Sequence, residues 1–384
     1  MISSVKLKVF LQERIFPVFS IINESITHND KIIMLYTNMG IRDNLAALFD
    51  YIIKCGLNNE YEIICSTNDL KKHTQTEILN VKYISNLKGL FYYFRAGYVF
   101  YCFGKIPIRP GKRQKVVQMW HGACFKGGDE GQIKGHSLKN QYYTHFLSTS
   151  EYLKPIWKKN FSLEDNRLYV TGQPRNDALF SGVHYDFGDY DKIVIWMPTF
   201  RKSNILGYDN TESDEILPIL SKERFEEFNM YLAERNIKVV VKLHPLQDLS
   251  HYNLVNMNNF ILLSHSEFTR RGIDLYSFIG QCDALITDYS SVFVDFLLLD
   301  RPIGFTIDDI DEYRNNRGFV FENPLDYMPG HHMQTTNDLY QFIDDLYRNK
   351  DIYVSQRKKV NAMFNKYNDN QSCERLLNTV GISL

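Results

Sequence analysis

Ala284-Leu285-Ile286-Thr287-Asp288-Tyr289-Ser290-Ser291-Val292-Phe293 reads as a strand, a turn and the start of a helix. An apolar run stops at Thr287. Val292, Phe293, Phe296 and Leu297 then repeat at helical spacing through Leu299. Ser290 or Ser291 takes the N-cap, beside the free N–H groups of the first turn. Such a turn either binds a phosphate or simply caps a helix. Asp295, one turn on, lies within reach of ribose hydroxyls.

The same alternation extends outward in both directions. Upstream, Ile193–Met197, Val239–Leu243 and Ile261–Leu263 read as strands, with a helix over Phe225–Arg235; downstream, Ile303–Thr306 is a strand and Leu339–Leu346 and Ile352–Asn365 are helical. Further back come strands at Lys31–Tyr36, Tyr61–Ser66, Val81–Ser85, Tyr98–Phe103, Lys115–Trp120, His145–Thr149 and Leu168–Thr171. Asn44–Cys55 is a helix between the first two. Short β-rich runs separated by helical ones predict βαβ units and parallel sheets. The polar, Gly-containing segment His184–Asp191 reads as a linker. The expected layout is α/β: residues 25–188 one Rossmann-like domain, 189–349 a second, 350–384 terminal helices, and a cleft rimmed by strand ends between the two domains.

The chain has 384 residues. At roughly 100–200 residues per domain this fits two or three domains. Lys plus Arg is 44 and Asp plus Glu 45, a net charge of -1, so no global field attracts nucleic acid. Cys55, Cys65, Cys102, Cys124, Cys282 and Cys373 form no C-x-x-C pair and no zinc spacing; they read as buried free thiols of a reducing cytosol. No apolar run is long enough to span a membrane, and Glu13 and Arg14 interrupt what would be a signal peptide. Residues 1–24 interleave Lys6, Lys8 and Arg14 with apolar and aromatic side chains. They read either as an interfacial segment on anionic lipid or as a helix packed on the body.

Polar clusters close five of the strands. Trp120-His121-Gly122 ends one and opens a glycine-rich loop carrying Lys126; an imidazole there can move a proton near neutral pH, or merely cap a turn. Lys242-Leu243-His244-Pro245 ends another, with Lys242 and His244 on one face, an arrangement suited to a diphosphate or else a surface accident. Pro198-Thr199-Phe200-Arg201, Gly172-Gln173-Pro174-Arg175-Asn176-Asp177 and the Thr287–Ser291 turn complete the set. Arg175 is expected to be exposed and to face the cleft.

In this order, together with Ser148-Thr149-Ser150, Tyr313-Arg314 and Arg317-Gly318, the motifs resemble the CDP-glycerol:poly(glycerophosphate) glycerophosphotransferase family. The resemblance runs from about Ile32 to the C-terminal helix. It implies a GT-B-like fold with the nucleotide on the C-terminal domain. It implies His121 as general base on an acceptor hydroxyl and His244 near the donor diphosphate. Lys242, Thr287, Ser290, Ser291 and Arg201 become donor-binding, Asp295 the ribose-binding carboxylate, and Arg314 and Arg317 neighbours of the donor. Gly122, Lys126 and Arg175 fall on the acceptor side. Ala123-Cys124 departs from the family's frequent Thr-Pro.

The implied reaction passes a polyol phosphate from CDP-glycerol or CDP-ribitol to a lipid-linked or saccharide acceptor, releasing CMP, with no added cofactor and no structural metal. The setting would be the cytoplasm, at the inner face of the membrane. A GT-B hexosyltransferase or nucleotide-sugar epimerase would share the architecture and release a nucleoside diphosphate instead. A binding module without turnover would need neither histidine.

Overall fold

A computed structural model describes residues 14–38, 40–70, 77–123, 125–126, 142–198, 202–203, 208–209, 217–243, 257–316 and 318–383. The chain divides into two compact units. The first takes Met1–Gly122, Asp129–Asp177 and Asp369–Leu384; the second takes Ala123–Gly128 and Ala178–Asn368. The handover at Asp177 precedes the His184–Asp191 segment, which has no regular structure.

In the first unit, β1 (Asn29–Tyr36), β2 (Glu62–Ser66), β3 (Val81–Ile84), β4 (Ala96–Tyr101), β5 (Lys115–Gln118), β6 (His145–Ser148) and β7 (Leu168–Val170) form one parallel sheet, in the order β3-β2-β1-β4-β5-β6-β7. Parallel strands are buried on both faces, which is why these segments read as near-continuous apolar runs. Leu45, Leu48 and Ile52 of the helix Asn44–Lys54 pack against Ile33, Leu35 and Phe100 of the sheet. Leu376, Leu377 and Val380 of the last helix, Ser372–Val380, join the same core.

In the second unit come β8 (Lys192–Met197), a small antiparallel pair β9 (Lys202–Ser203) and β10 (Tyr208–Asp209), then β11 (Ile237–Lys242), β12 (Phe260–Leu263), β13 (Ala284–Thr287), β14 (Ile303–Thr306) and β15 (His331–Met333). The six long-sheet strands are parallel, in the order β12-β11-β8-β13-β14-β15. Both sheets follow the doubly wound 3-2-1-4-5-6 pattern, the first with one strand more. Their order reverses between β1 and β4, and between β8 and β13. Ligands of such sheets bind at that reversal, off the carboxyl ends of the strands.

The strand β15 was not foreseen: His331-His332-Met333 is too short and polar to show a period. The helix Phe16–Ser25 packs on the body through Ser20, Asn23 and Phe19, whose ring meets Phe94 edge-on at 5.8 Å. Asn23 is fully buried and donates to Arg109 O and Gln114 Oε1, each at 2.8 Å; Ser20 Oγ accepts from Arg109 N at 3.0 Å. Val18, Ile21 and Ile22 point outward and are exposed. Among the described residues no helix is long and apolar enough to cross a membrane. Of the described cysteines, all are free; Cys55 is exposed, and Cys65, Cys102, Cys282 and Cys373 are buried.

Candidate active site

In the first unit the residues beyond β1, β4 and β5 converge at the carboxyl edge. Gln118, at the end of β5, accepts Trp120 N on its side chain at 3.1 Å. The chain then turns sharply: Trp120 takes φ +56° and Gly122 φ +136°. A left-handed tryptophan is uncommon and costs about 1–2 kcal/mol unless its surroundings fix it. The His121 imidazole is exposed. It stacks on Phe103, just past β4, with centroids 5.2 Å apart and planes 20° apart, and against the Trp120 ring at 4.2 Å. Arg42, beyond β1, lies over the same Phe103 ring at 5.3 Å. The turn therefore presents a solvent-reachable imidazole at the carboxyl edge of the sheet, on the Phe103 ring that also carries the Arg42 guanidinium.

Arg175 is placed differently from expectation. It is only 7% exposed, tucked beneath the turn rather than displayed on a rim. Its Nη1 donates to Asp43 Oδ1 at 2.7 Å and to the His121 carbonyl at 3.1 Å. The rest of the Gly172–Asp177 motif is also internal: Gln173 accepts from Asn44 Nδ2, and Asp177 accepts from Ser372 N and Cys373 N, both at 2.8 Å. Ser148 is likewise internal, its hydroxyl donating to Ser150 O at 2.8 Å.

Arg42, Asp43 and Asn44 were not singled out from the sequence. Their signal was the one used elsewhere, a polar cluster beyond a strand's carboxyl end, but five residues separate β1 from Arg42 and hide it.

In the second unit the Thr287–Ser291 turn sits at the reversal point. Thr287 is fully buried; its hydroxyl donates to Met197 O at 2.9 Å and ties the ends of β13 and β8 together. Asp288 is buried and accepts Ser290 N at 2.9 Å. Ser291 holds the N-cap position of Val292–Phe296, and its hydroxyl makes no capping bond. Ser290 and Ser291 are half-buried, as is Lys242 at the end of β11. Asp295 is fully buried, accepting from Tyr276 OH at 2.8 Å. Arg314 is a surface residue of Ile310–Asn316, 3.3 Å from Asp311.

Lys126 groups with this unit rather than with His121. It bridges Phe319 in antiparallel register, while Phe125 packs among Phe293, Phe319 and Phe321 and accepts Val320 N at 3.1 Å. Arg201, His244 and Arg317 lie outside the described residues. Among the described residues no group of three His, Cys, Asp or Glu side chains is placed to hold a metal ion.

The family model described as CDP-Glycerol:Poly(glycerophosphate) glycerophosphotransferase matches residues 18–381. The chain belongs to that family. Membership makes it a transferase of the glycerophosphotransferase type. It is 28% identical over 287 residues to a teichoic acid glycerol-phosphate primase of Bacillus subtilis (strain 168), covering 70% of this chain and 68% of that one. It is 26% identical over 364 residues to a teichoic acid poly(glycerol phosphate) polymerase of Bacillus spizizenii, covering 86% and 87%. It spans about half the length of other relatives, such as the teichoic acid ribitol-phosphate polymerase TarL of Staphylococcus aureus, 27% identical, of which it covers 48%.

Among solved structures it matches the wall teichoic acid polymerase TagF with a TM-score of 0.72 at 18% identity, covering 97% of this chain and 94% of that one. A UDP-N-acetylglucosamine 2-epimerase matches at 0.51 and 14%, covering 92% and 97%. These two likenesses concern the fold, which is GT-B-like.

Proposed function

We propose that this chain transfers a polyol phosphate, glycerol phosphate before ribitol phosphate, from a CDP-alditol to an acceptor hydroxyl in the synthesis of a teichoic-acid-like or capsular polymer. The observation that carries the reading is His121: an exposed imidazole, held on Phe103 at the carboxyl edge of a doubly wound sheet, in a chain of this family. The acceptor O–H gives its proton to the imidazole while its oxygen attacks the β-phosphorus. The bond from that phosphorus to the bridging oxygen breaks, and CMP leaves with the electron pair. The donor is assigned to the second unit, on the Thr287–Ser291 turn, with Lys242, His244 and Arg201 meeting phosphoryl charge. Asp295, oriented by Tyr276, is assigned to the ribose. Arg314 and Arg317 stay assigned to the donor border, and Gly122 and Lys126 to the acceptor. The names of the relatives, glycerol-phosphate and ribitol-phosphate primases and polymerases, support the donor class.

The test is CMP release from CDP-glycerol and CDP-ribitol with candidate acceptors. A positioned base contributes roughly 10²–10⁴-fold, so His121→Ala should lose at least about 10²-fold in turnover with the fold intact. A near-wild-type rate for that variant removes the reading. Release of a nucleoside diphosphate in place of CMP would favour a hexosyl transferase or epimerase.

The acceptor is assigned to the inner face of the membrane, as a lipid-linked or saccharide chain. The support is the helix Phe16–Ser25, which spends its polar side chains on the protein and turns Val18, Ile21 and Ile22 outward. Apolar side chains arranged so can enter a lipid interface. Flotation with anionic vesicles should carry the protein upward, and Ile21→Asp with Ile22→Asp should cut the bound fraction about tenfold. Equal flotation of both proteins refutes the attachment.

A further inference from the structure

We propose that Arg175 and Asn44, braced by Asp43, are positioning residues that hold the Trp120-His121 turn in its productive shape. This deepens the reading of His121 as the base and rests on it. Two consecutive carbonyls of the turn are pinned by two side chains remote in sequence. Asn44 Nδ2 donates to Trp120 O at 2.9 Å, and Arg175 Nη1 donates to His121 O at 3.1 Å. Asn44 is fully buried and Arg175 is 7% exposed.

The pins are locked to each other as well. Asn44 Oδ1 accepts Arg175 N at 3.0 Å, Asn44 Nδ2 also donates to Gln173, and Asp43 Oδ1 takes the same guanidinium at 2.7 Å. Asp43 itself stands at φ +60°, ψ -142°, at the N-cap of Asn44–Lys54. Two non-glycine residues in disfavoured backbone shapes thus meet in one hydrogen-bonded network.

Unfavourable backbone shapes survive where the surroundings over-determine them, and they gather at functional sites. Here the over-determination ends at one exposed group. Below the turn Asn44 and Arg175 are buried and hydrogen-bonded to its two carbonyls; above it the exposed imidazole stacks on Phe103 and Trp120. A base must sit within hydrogen-bond reach of the proton it takes, and a displacement of about 1 Å can cost about 10²-fold. Buried hydrogen-bonded supports of this kind are what fix a reacting group to within about 0.5 Å.

The experiment is a double-mutant cycle. Arg175→Lys keeps the charge, but its ammonium sits on a shorter reach than Nη1, the one nitrogen that makes both bonds, and cannot hold Asp43 and the His121 carbonyl together. With saturating CDP-glycerol and acceptor, kcat for CMP release should fall 10- to 100-fold, while both KM values stay within about threefold. In the His121→Ala background the same Arg175→Lys change should alter the residual rate less than about threefold, because its effect passes through the imidazole. Rates are taken per folded enzyme, by urea midpoint and circular dichroism. Asp43→Asn, a residue at ease at positive φ, serves as the second variant should Arg175→Lys fail to fold, with a fall of about five- to tenfold in kcat and none in the His121→Ala background.

Unchanged kcat, or an equal loss in both backgrounds, overturns the proposal. An active His121→Ala overturns instead the assignment of the base on which it rests.

Discussion

Asp177→Ala should loosen the last helix while leaving the second unit's core closed. In the structure both carboxylate oxygens of Asp177 are spent on that helix, on Ser372 N and Cys373 N at 2.8 Å each. Hydrogen bonds to a charged group are worth about 1.5–3 kcal/mol apiece, about 3–6 kcal/mol for the pair. Burial opposes them: it pushes the Asp177 carboxyl above its usual range, while the two N–H donors pull it back. Deleting an N-cap carboxylate typically costs about 1–2 kcal/mol after such cancellation. This one makes two bonds, so about 2 kcal/mol is the expected loss. At about 1.4 kcal/mol per tenfold, amide exchange across 372–380 should speed up about 30-fold by local opening. Hydrogen–deuterium exchange read by mass spectrometry measures it. The helix Phe225–Ala233 of the second unit, whose core shares no residue with 372–380, is the internal control. Exchange in 372–380 within about threefold of wild type would refute the reasoning.

Two other perturbations probe the interior. His145 is buried beside Lys115, stacks on Tyr169 at 4.4 Å, and burial lowers its pKa to about 4. The unfolded chain then binds the extra proton between about pH 6.5 and 4, so stability is full above 6.5 and falls as the pH drops through that window. After allowance for solvent screening the loss is on the order of 2 kcal/mol. Urea unfolding at pH 7 and pH 4 should show wild type losing that much more than His145→Phe, and equal losses would contradict it. Gly280→Ala should gain about 1 kcal/mol of helix propensity. Its new Cβ, however, would stand 2.2 Å from Leu179 O, so the backbone must shift. Overpacking of that kind costs about 1–3 kcal/mol or more. A raised melting temperature would show that propensity had won.

Most strands were legible because both sheets are parallel and doubly covered, so each strand announces itself as an apolar run. The site was legible only as far as residue type and position along a strand could take it. His121 and the Thr287–Ser291 turn fall at the carboxyl edges where such reasoning puts them. Arg175 did not behave as a turn arginine usually does: Asp43, which buries it, lies 132 residues earlier. No local rule reports a partner at that separation. Thr287 illustrates the same limit, since its hydroxyl is taken up by Met197 O on the neighbouring strand.

The return of Ser372–Val380 to the first sheet makes the second unit an insertion in the chain's path. During synthesis the first seven strands emerge early, yet Leu45, Leu48 and Ile52 stay partly bare until Leu376, Leu377 and Val380 arrive. The early half of the chain must therefore wait, incompletely covered, while its later neighbour is translated and closes its own core.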